Sequence, residues 1–300
     1  MSDLDKFNIE REARQRAGDP HRVSPYTEVI NRYLGAFSYV DPYVAPRATS
    51  PAPAAGDRIV TSTVLAGVDD MPTSHVAVDQ AAIEAELRGS PLLIVHAGGS
   101  PHDPRLLRRL VERVHAFAPQ VPVSTRVTVG MNAAELLLSA AGDSDLIVVG
   151  HRHGPVRSVL RRSVADRVAA EHPGPVLVVR EAGWPPGPDL AARPLLVGMN
   201  GSAASTRAAE FAVTEAAARG CDVVLLHVTR EPSETPDWTE RRGGVTVHNR
   251  SVAGSPVNEI VDASGHATAV VLGRTTNPGR LGSVDRAILH HAHCPVFFVR

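Results

Sequence analysis

Cysteine is nearly absent from this chain: Cys221 and Cys294 are the only two in 300 residues. A disulfide framework is thereby excluded, and a reducing compartment is the expected setting. Acidic and basic residues almost cancel, leaving a formal net charge of -1. No global field therefore favours nucleic acid or an anionic membrane. No apolar run approaches the length needed to cross a bilayer, and the opening MSDLDKFNIEREARQR is too charged for a signal peptide. There is no G-x-x-x-x-G-K-[ST] loop, so a P-loop ATPase is unsupported. Ser163 has His153 nearby in sequence, yet neither an elbow motif nor a third member supports a triad. The expectation is a soluble cytoplasmic protein with no nucleic acid or membrane partner and no catalytic residues; slow nucleotide hydrolysis is left open. What is present in quantity is apolar side chain, 43% of residues, enough for a core in each of two domains.

Two domains are also what the repeats spell out. VLAGVDD, containing Asp69 and Asp70, returns as LLVGMNG, with Asn200 in place of Asp69. LLIVHA around His96 returns as VLLHV around His227, LIVVG ending at Gly150 as AVVLG ending at Gly273, and PVLVVR ending at Arg180 as PVFFVR ending at Arg300. The offset is 131 residues for Asp69–Asn200 and His96–His227, 123 for Gly150–Gly273 and 120 for Arg180–Arg300. An offset that only shrinks indicates duplication followed by loop deletion, and a period this long means whole domains rather than a solenoid. The division expected is an N-terminal extension over 1–57, a first domain over 58–180, a Pro-rich linker over 181–193 and a shortened second domain over 194–300.

Within the first copy, β-branched apolar runs at Val64–Val68, Leu92–Val95, Leu146–Val149 and Val176–Val179 lack strict alternation, as strands buried on both faces do. Val121–Val129 alternates more and is expected at an edge. Helical patterns over Val76–Leu87, Leu106–Ala118, Asn132–Ala141 and Val164–Glu171 separate them. Strand–helix alternation of this kind gives right-handed crossovers and an α/β fold with a doubly wound, Rossmann-like sheet. Ligands of such sheets bind at the carboxyl ends of the strands, where strand order reverses. In the second copy, TREPSETPDWTERRGG after His227 leaves little room for the second helix, so a loop or single turn is expected there. The linker EAGWPPGPDLAARP is expected to be stiff and extended. Pro25–Phe37 forms a short amphipathic pattern with Val29, Ile30, Leu34 and Phe37 on one side, suited to packing on a domain face.

Past the fourth strand of each copy, a glycine opens a loop that enters a helix: GHRHGPVRSVLRRSVADRV from Gly150, and GRTTNPGRLGSVDRAI from Gly273. Backbone N–H groups of such a loop and of the helix N-terminus can hold phosphate, with the serine hydroxyl as a further donor. The alternative is an ordinary loop with Ser163 and Ser283 as N-caps. Arg152, Arg157, Arg161 and Arg162 crowd the first loop, either as phosphate forks or as a solvated basic face.

The combination of strand–G–V–D, hydrophobic–His at the second strand, the Gly loop with Ser–Val, and the closing P–V–x–V–V–R resembles the universal stress protein family. It resembles in particular its tandem, actinobacterial-type members, and the likeness spans both copies. Even His290, His291, His293 and Cys294, which look like a metal cluster, match the HHAxCPV ending common in the family. The resemblance implies a mainly parallel five-stranded sheet per domain and intramolecular pairing of the two domains through their last strands. A homodimer and unidentified protein partners are also compatible with it. It further implies a regulatory, stress-response module in which one branch binds ATP, with Mg2+ accompanying it where needed, and another branch does not.

Binders carry G-x-x-G, nine residues, then G-S or G-T, with an aspartate at the end of the first strand. Carried over residue by residue, the first site comprises Gly67, Val68, Asp69, His96, Gly150, His153, Gly154, Arg162, Ser163 and Val164. His153 and Arg162 stand where the pattern has glycine, Gly154 follows directly, and the loop is one residue short. A side chain at a glycine position obstructs close approach of backbone to phosphate. The second, weaker site comprises Asn200, Gly273, Gly282, Ser283 and Val284, with Thr276 at the second glycine and a loop four residues short. Adenine-nucleotide binding is expected in the first domain and degeneracy in the second. The alternative is an interaction scaffold in which both sites have lapsed.

Overall fold

A computed structural model describes residues 24–37, 62–69, 74–98, 104–142, 145–151, 163–180, 188–231, 236–274 and 279–300. In chain order the elements are α1 (Pro25–Ala36), β1 (Val64–Val68), α2 (Ser74–Arg88), β2 (Leu92–Gly98), α3 (Pro104–Phe117), β3 (Val123–Val129), α4 (Ala133–Ala140), β4 (Leu146–His151), α5 (Val164–Glu171) and β5 (Val176–Arg180). The second half runs β6 (Leu195–Met199), α6 (Ala203–Arg219), β7 (Val223–Thr229), β8 (Trp238–Arg242), β9 (Val245–Ala253), α7 (Pro256–Ser264), β10 (Ala269–Gly273), α8 (Ser283–His291) and β11 (Val296–Val299).

The eleven strands among the described residues join one sheet in the order β3-β2-β1-β4-β5-β11-β10-β6-β7-β9-β8. Each half is parallel along its repeat, as the buried apolar runs require. The halves meet where β5 pairs antiparallel with β11, Leu177 opposite Phe297. The closing strands of the two copies therefore pair within one chain. β3 lies at one end of the sheet, as its alternation indicates, with most of its residues exposed.

Three expectations are corrected. The segment after β7 is neither a loop nor a single turn. Trp238–Arg242 forms an edge strand antiparallel to β9, so the second half has one strand more than the five of the first. Gly243 and Gly244, at φ 55° and 87°, make the two-residue turn; positive φ at both centres is what a tight hairpin demands. The linker is not extended throughout: Pro188–Ala192 is a 3-10 turn whose Leu190 is buried, while 181–187 lies outside the described residues. Ser283 is not an N-cap but the first residue of α8, with Gly282 at the cap.

Helix α1 belongs to neither repeat and packs across both, touching α2, α3, α6 and the 3-10 turn. Ser24 caps it through Thr27 N–H (3.1 Å) and Pro25 opens it. It buries Tyr26, Val29, Ile30, Tyr33 and Leu34, roughly 1.5–3 kcal/mol of gross burial for each large apolar side chain. Beneath it lies a set of buried charges. Asp79, fully buried, accepts a two-pronged bond from Arg113 (2.7 Å each) and one from the Tyr33 hydroxyl (2.9 Å). Arg219, also buried, bridges Glu84 (2.6 Å) of the first half and Glu215 (2.5 Å) of its own helix. These pairs satisfy charges that would otherwise be prohibitively costly inside a helix layer.

Candidate functional site

Strand order reverses between β1 and β4, whose chains leave in opposite directions along the sheet. At their carboxyl ends a cleft of about 100 Å³ opens, lined by Gly67, Val68, Asp69, Gly150, His151 and Val164 among others. Its walls are Val76 and Ala77 of α2 and Ala133, Leu136 and Leu137 of α4. The volume is below the roughly 300–1,000 Å³ of ordinary ligand sites, so the described walls do not enclose space for a whole drug-sized ligand. Gly67 has no room for a side chain: a Cβ there would fall 2.8 Å from Leu137 Cδ1. Gly150 has space, its nearest neighbour being Ala77 Cβ at 4.0 Å.

Five of the ten residues expected in the first site thus line one cleft besides its wall: Gly67, Val68, Asp69, Gly150 and Val164. Ser163 adjoins it as the N-cap of α5. Its hydroxyl accepts from Asp166 N–H (3.0 Å), while its own O–H and N–H donate to Asp166 Oδ2 (2.7 and 3.2 Å). His96 does not line the cleft: it is 1% exposed, with Nδ1 3.3 Å from the Val68 carbonyl, a contact that ties the end of β2 to the end of β1. His153, Gly154 and Arg162 lie outside the described residues, as do Asp70 and the other loop arginines.

The corresponding place in the second half is shut. Residues 200–202 connect β6 to α6, against 69–73 between β1 and α2. The shorter connection draws the first turn of α6 onto β10. A Cβ at Gly273 would collide with the Ala204 carbonyl and lie 2.8 Å from Ser205 N. Asn200 Oδ1 is occupied by Ser202, accepting from its N–H (3.1 Å) and O–H (2.7 Å). Gly282 N–H donates to Asp285 Oδ2 at 3.3 Å, Ser283 is exposed, and Val284 is half-buried. The second set is thus crowded at Gly273 by Ala204 and at Asn200 by Ser202, while 275–278, between Gly273 and Gly282, lie outside the described residues.

Sequence reasoning missed a layer of contacts at the β5–β11 seam. The Arg274 guanidinium donates to the carbonyls of Ala169, His172 (2.6 Å) and Gly174 (3.0 Å), where α5 ends. A cation suits the negative pole of that helix, although burial, and secondarily Arg300, push its pKa down to about 10. Arg180 Nη1 donates to the Leu289 carbonyl (3.2 Å) in α8. The His151 and His290 rings meet edge-on at 4.7 Å, and His290 Nε2 lies 3.8 Å from Asp166 Oδ1. Cys294 is buried, its thiol pushed up to about 12 by desolvation. No three His, Cys, Asp or Glu side chains converge as metal ligands among the described residues. The pairing of the last strands was expected from the family resemblance, but the repeated terminal V-x-x-V-R marks only the strands and not the side-chain contacts that Arg274, Arg180 and His290 make across the seam.

A family model for the universal stress protein family matches residues 100–180, 192–240 and 237–300, more than half of the chain. The chain belongs to the universal stress protein family. A universal stress protein of Mycobacterium tuberculosis is 28% identical over 301 residues, covering 79% of this chain and 94% of its own. A second from that organism is 29% identical over 287 residues, covering 79% and 96%. Both relatives span the two copies, so the tandem architecture is shared. Among solved structures, a universal stress protein from Archaeoglobus fulgidus superposes with a TM-score of 0.57 at 15% identity, covering 79% of this chain and 98% of that one. That likeness shows the Rossmann-like fold. Among the described residues no helix is long and apolar enough to cross a membrane.

Proposed function

We propose that this universal stress protein is a non-enzymatic regulatory module that binds one adenine nucleotide, ATP, in the first-half cleft. The observation that carries the reading is the contrast between two copies of one site. Asp69, Gly150 and Val164 line an opening at the switch point, whereas Gly273 is covered by Ala204. Asp69 offers a carboxylate for ribose hydroxyls, and the N-terminus of α5 offers N–H groups for phosphate. The domain limits 58–180 and 194–300 then separate a binding half from a closed one, and any Mg2+ arrives with the nucleotide phosphates.

The test is ATP titration by calorimetry on the full chain, preceded by denaturing a sample and assaying released nucleotide. One equivalent per chain is expected, and Asp69→Ala should weaken binding at least tenfold, a lost charged hydrogen bond being worth roughly 1.5–3 kcal/mol. Two equivalents would contradict the closed second site. A second reading, a scaffold with both sites lapsed, draws on Asp166, which already occupies the donors of Ser163. Absence of both binding and carried-over nucleotide would favour it.

A further inference from the structure

We propose that His290, supplied by the second half, is a positioning residue for the first-half site: when protonated it draws Asp166 off Ser163 and strengthens binding of phosphate-bearing ligands. This deepens the nucleotide reading above and rests on it.

The geometry begins with Asp166 in the first turn of α5. Its Oδ2 takes both donors of Ser163, the groups a phosphate at this helix end would use. Its Oδ1 is buried, has no hydrogen-bond partner among the described residues, and faces His290 Nε2 at 3.8 Å. That separation is too long for a hydrogen bond and close enough for an ion pair to tighten. Asp166 therefore opposes an anionic ligand twice, by occupying its donors and by its own charge. A neutral His290 can offer Oδ1 at most an uncharged donor and leaves the charge of Asp166 in place. An imidazolium gives Oδ1 a charge-assisted donor, cancels the nearby negative charge and leaves Ser163 free to turn to the ligand.

The groups facing His290 set when this happens. Asp166 approaches from α5, His151 from the end of β4, Arg180 from the end of β5, and His291 and Arg286 from its own helix. Burial holds the imidazole below its ordinary value; Asp166 opposes this, while His291, Arg286 and Arg180 add to it. Its pKa being lowered, His290 is neutral at pH 7.5 and charges only below the ordinary histidine range. Its stacking partner His151 lines the cleft, so the pair joins the seam to the site. The device runs one way. Matching Ser163 to Ser283, at an offset of 120, puts Ala170 at the position of His290, so α5 carries no counterpart of His290 toward the second half.

The experiment is ATP calorimetry at pH 7.5 and 5.5, at fixed salt, on the full chain, His290→Gln and His290→Lys. ATP itself gains a proton in this range, so proteins are compared at the same pH. As the pH falls from 7.5 and His290 charges, the unaltered chain should come to bind roughly three- to tenfold tighter than His290→Gln, the size of one half-buried charge interaction. At pH 7.5 those two should agree within about twofold, and His290→Lys, with its permanent charge, should bind more tightly than either. Parallel pH profiles for the chain and His290→Gln, with no gain from the lysine, would overturn the inference and leave nucleotide binding intact. No ATP binding by the unaltered chain at either pH would remove both. Thermal melts check that each variant folds; the His290 side chain is 41% exposed, and if the glutamine variant fails, the lysine variant decides alone.

Discussion

Replacing Arg219 by methionine tests whether the two halves share one buried charge system. The guanidinium is 1% exposed, and its Nη2 reaches Glu84, 135 positions earlier, at 2.6 Å. Burial alone would lower the pKa of Arg219, but Glu84 and Glu215 outweigh it and hold the group above its ordinary value, so it stays charged. Removing one member of a buried pair typically costs about 3–5 kcal/mol because the other charge is stranded. Here Glu84 would keep Gln80 (2.7 Å) and a longer contact to Arg88 (3.4 Å). The loss should therefore fall at the low end, about 3 kcal/mol. Urea unfolding followed by far-ultraviolet circular dichroism measures it. Adding Glu84→Gln should recover at least half of the loss, since one of the two carboxylates that Arg219 served is then gone and the other, Glu215, keeps Arg88 at 2.7 Å. A loss under about 1 kcal/mol, typical of exposed pairs, or strict additivity in the double variant, would refute a dry seam between α2 and α6.

The two strand-end glycines should respond in opposite ways. Gly273→Ala drives a methyl into the Ala204 carbonyl and should cost about 3 kcal/mol or slightly more, read as a lowered melting temperature. Gly150→Ala, with 4.0 Å of clearance, should leave the melting temperature within a degree or so of unchanged while reducing ATP affinity. Arg274→Ala strands the carbonyls of Ala169, His172 and Gly174; hydrogen exchange in α5 should accelerate, with about 2–3 kcal/mol lost overall.

Much of this molecule was legible in the sequence because its strands are buried on both faces. Val64–Val68 reads as one uninterrupted apolar run, and the strand occupies those residues. Val164–Glu171 is helical over the span its periodicity indicates. Side chains whose partners lie far along the chain were not legible. Asp79 and Glu84 sit on α2 among apolar neighbours, and nothing local says that charged residues there point inward to Arg113 and Arg219. Tyr26 and Tyr33 widen the buried stripe of α1 beyond Val29, Ile30 and Leu34, because that helix is covered by three others rather than laid on one face. The β8–β9 hairpin did leave a signal. Gly243–Gly244 falls between two short runs, one ending in Arg242 and one alternating as VTVHN, but the prolines upstream drew the reading toward a loop. In the site, Asp69 and Gly150 were readable from the repeat, whereas the closing of the second copy depends on a connection only two residues shorter, spanning 200–202 instead of 69–73.

The pairing of β5 with β11 has a consequence for how this protein changes over generations. In an assembly of identical subunits, any substitution is made in every site at once, so a site is kept or lost everywhere together. Here the two strand edges that join are encoded separately and held at fixed proximity, independent of how much protein the cell makes. One copy can therefore be crowded at Gly273 by Ala204 while the other keeps a cleft at Gly150, and a change in one half is not forced on the other. Arg274, gripping the end of α5, and His290, standing beside Asp166, are second-half residues that contact the first half and can vary independently of it.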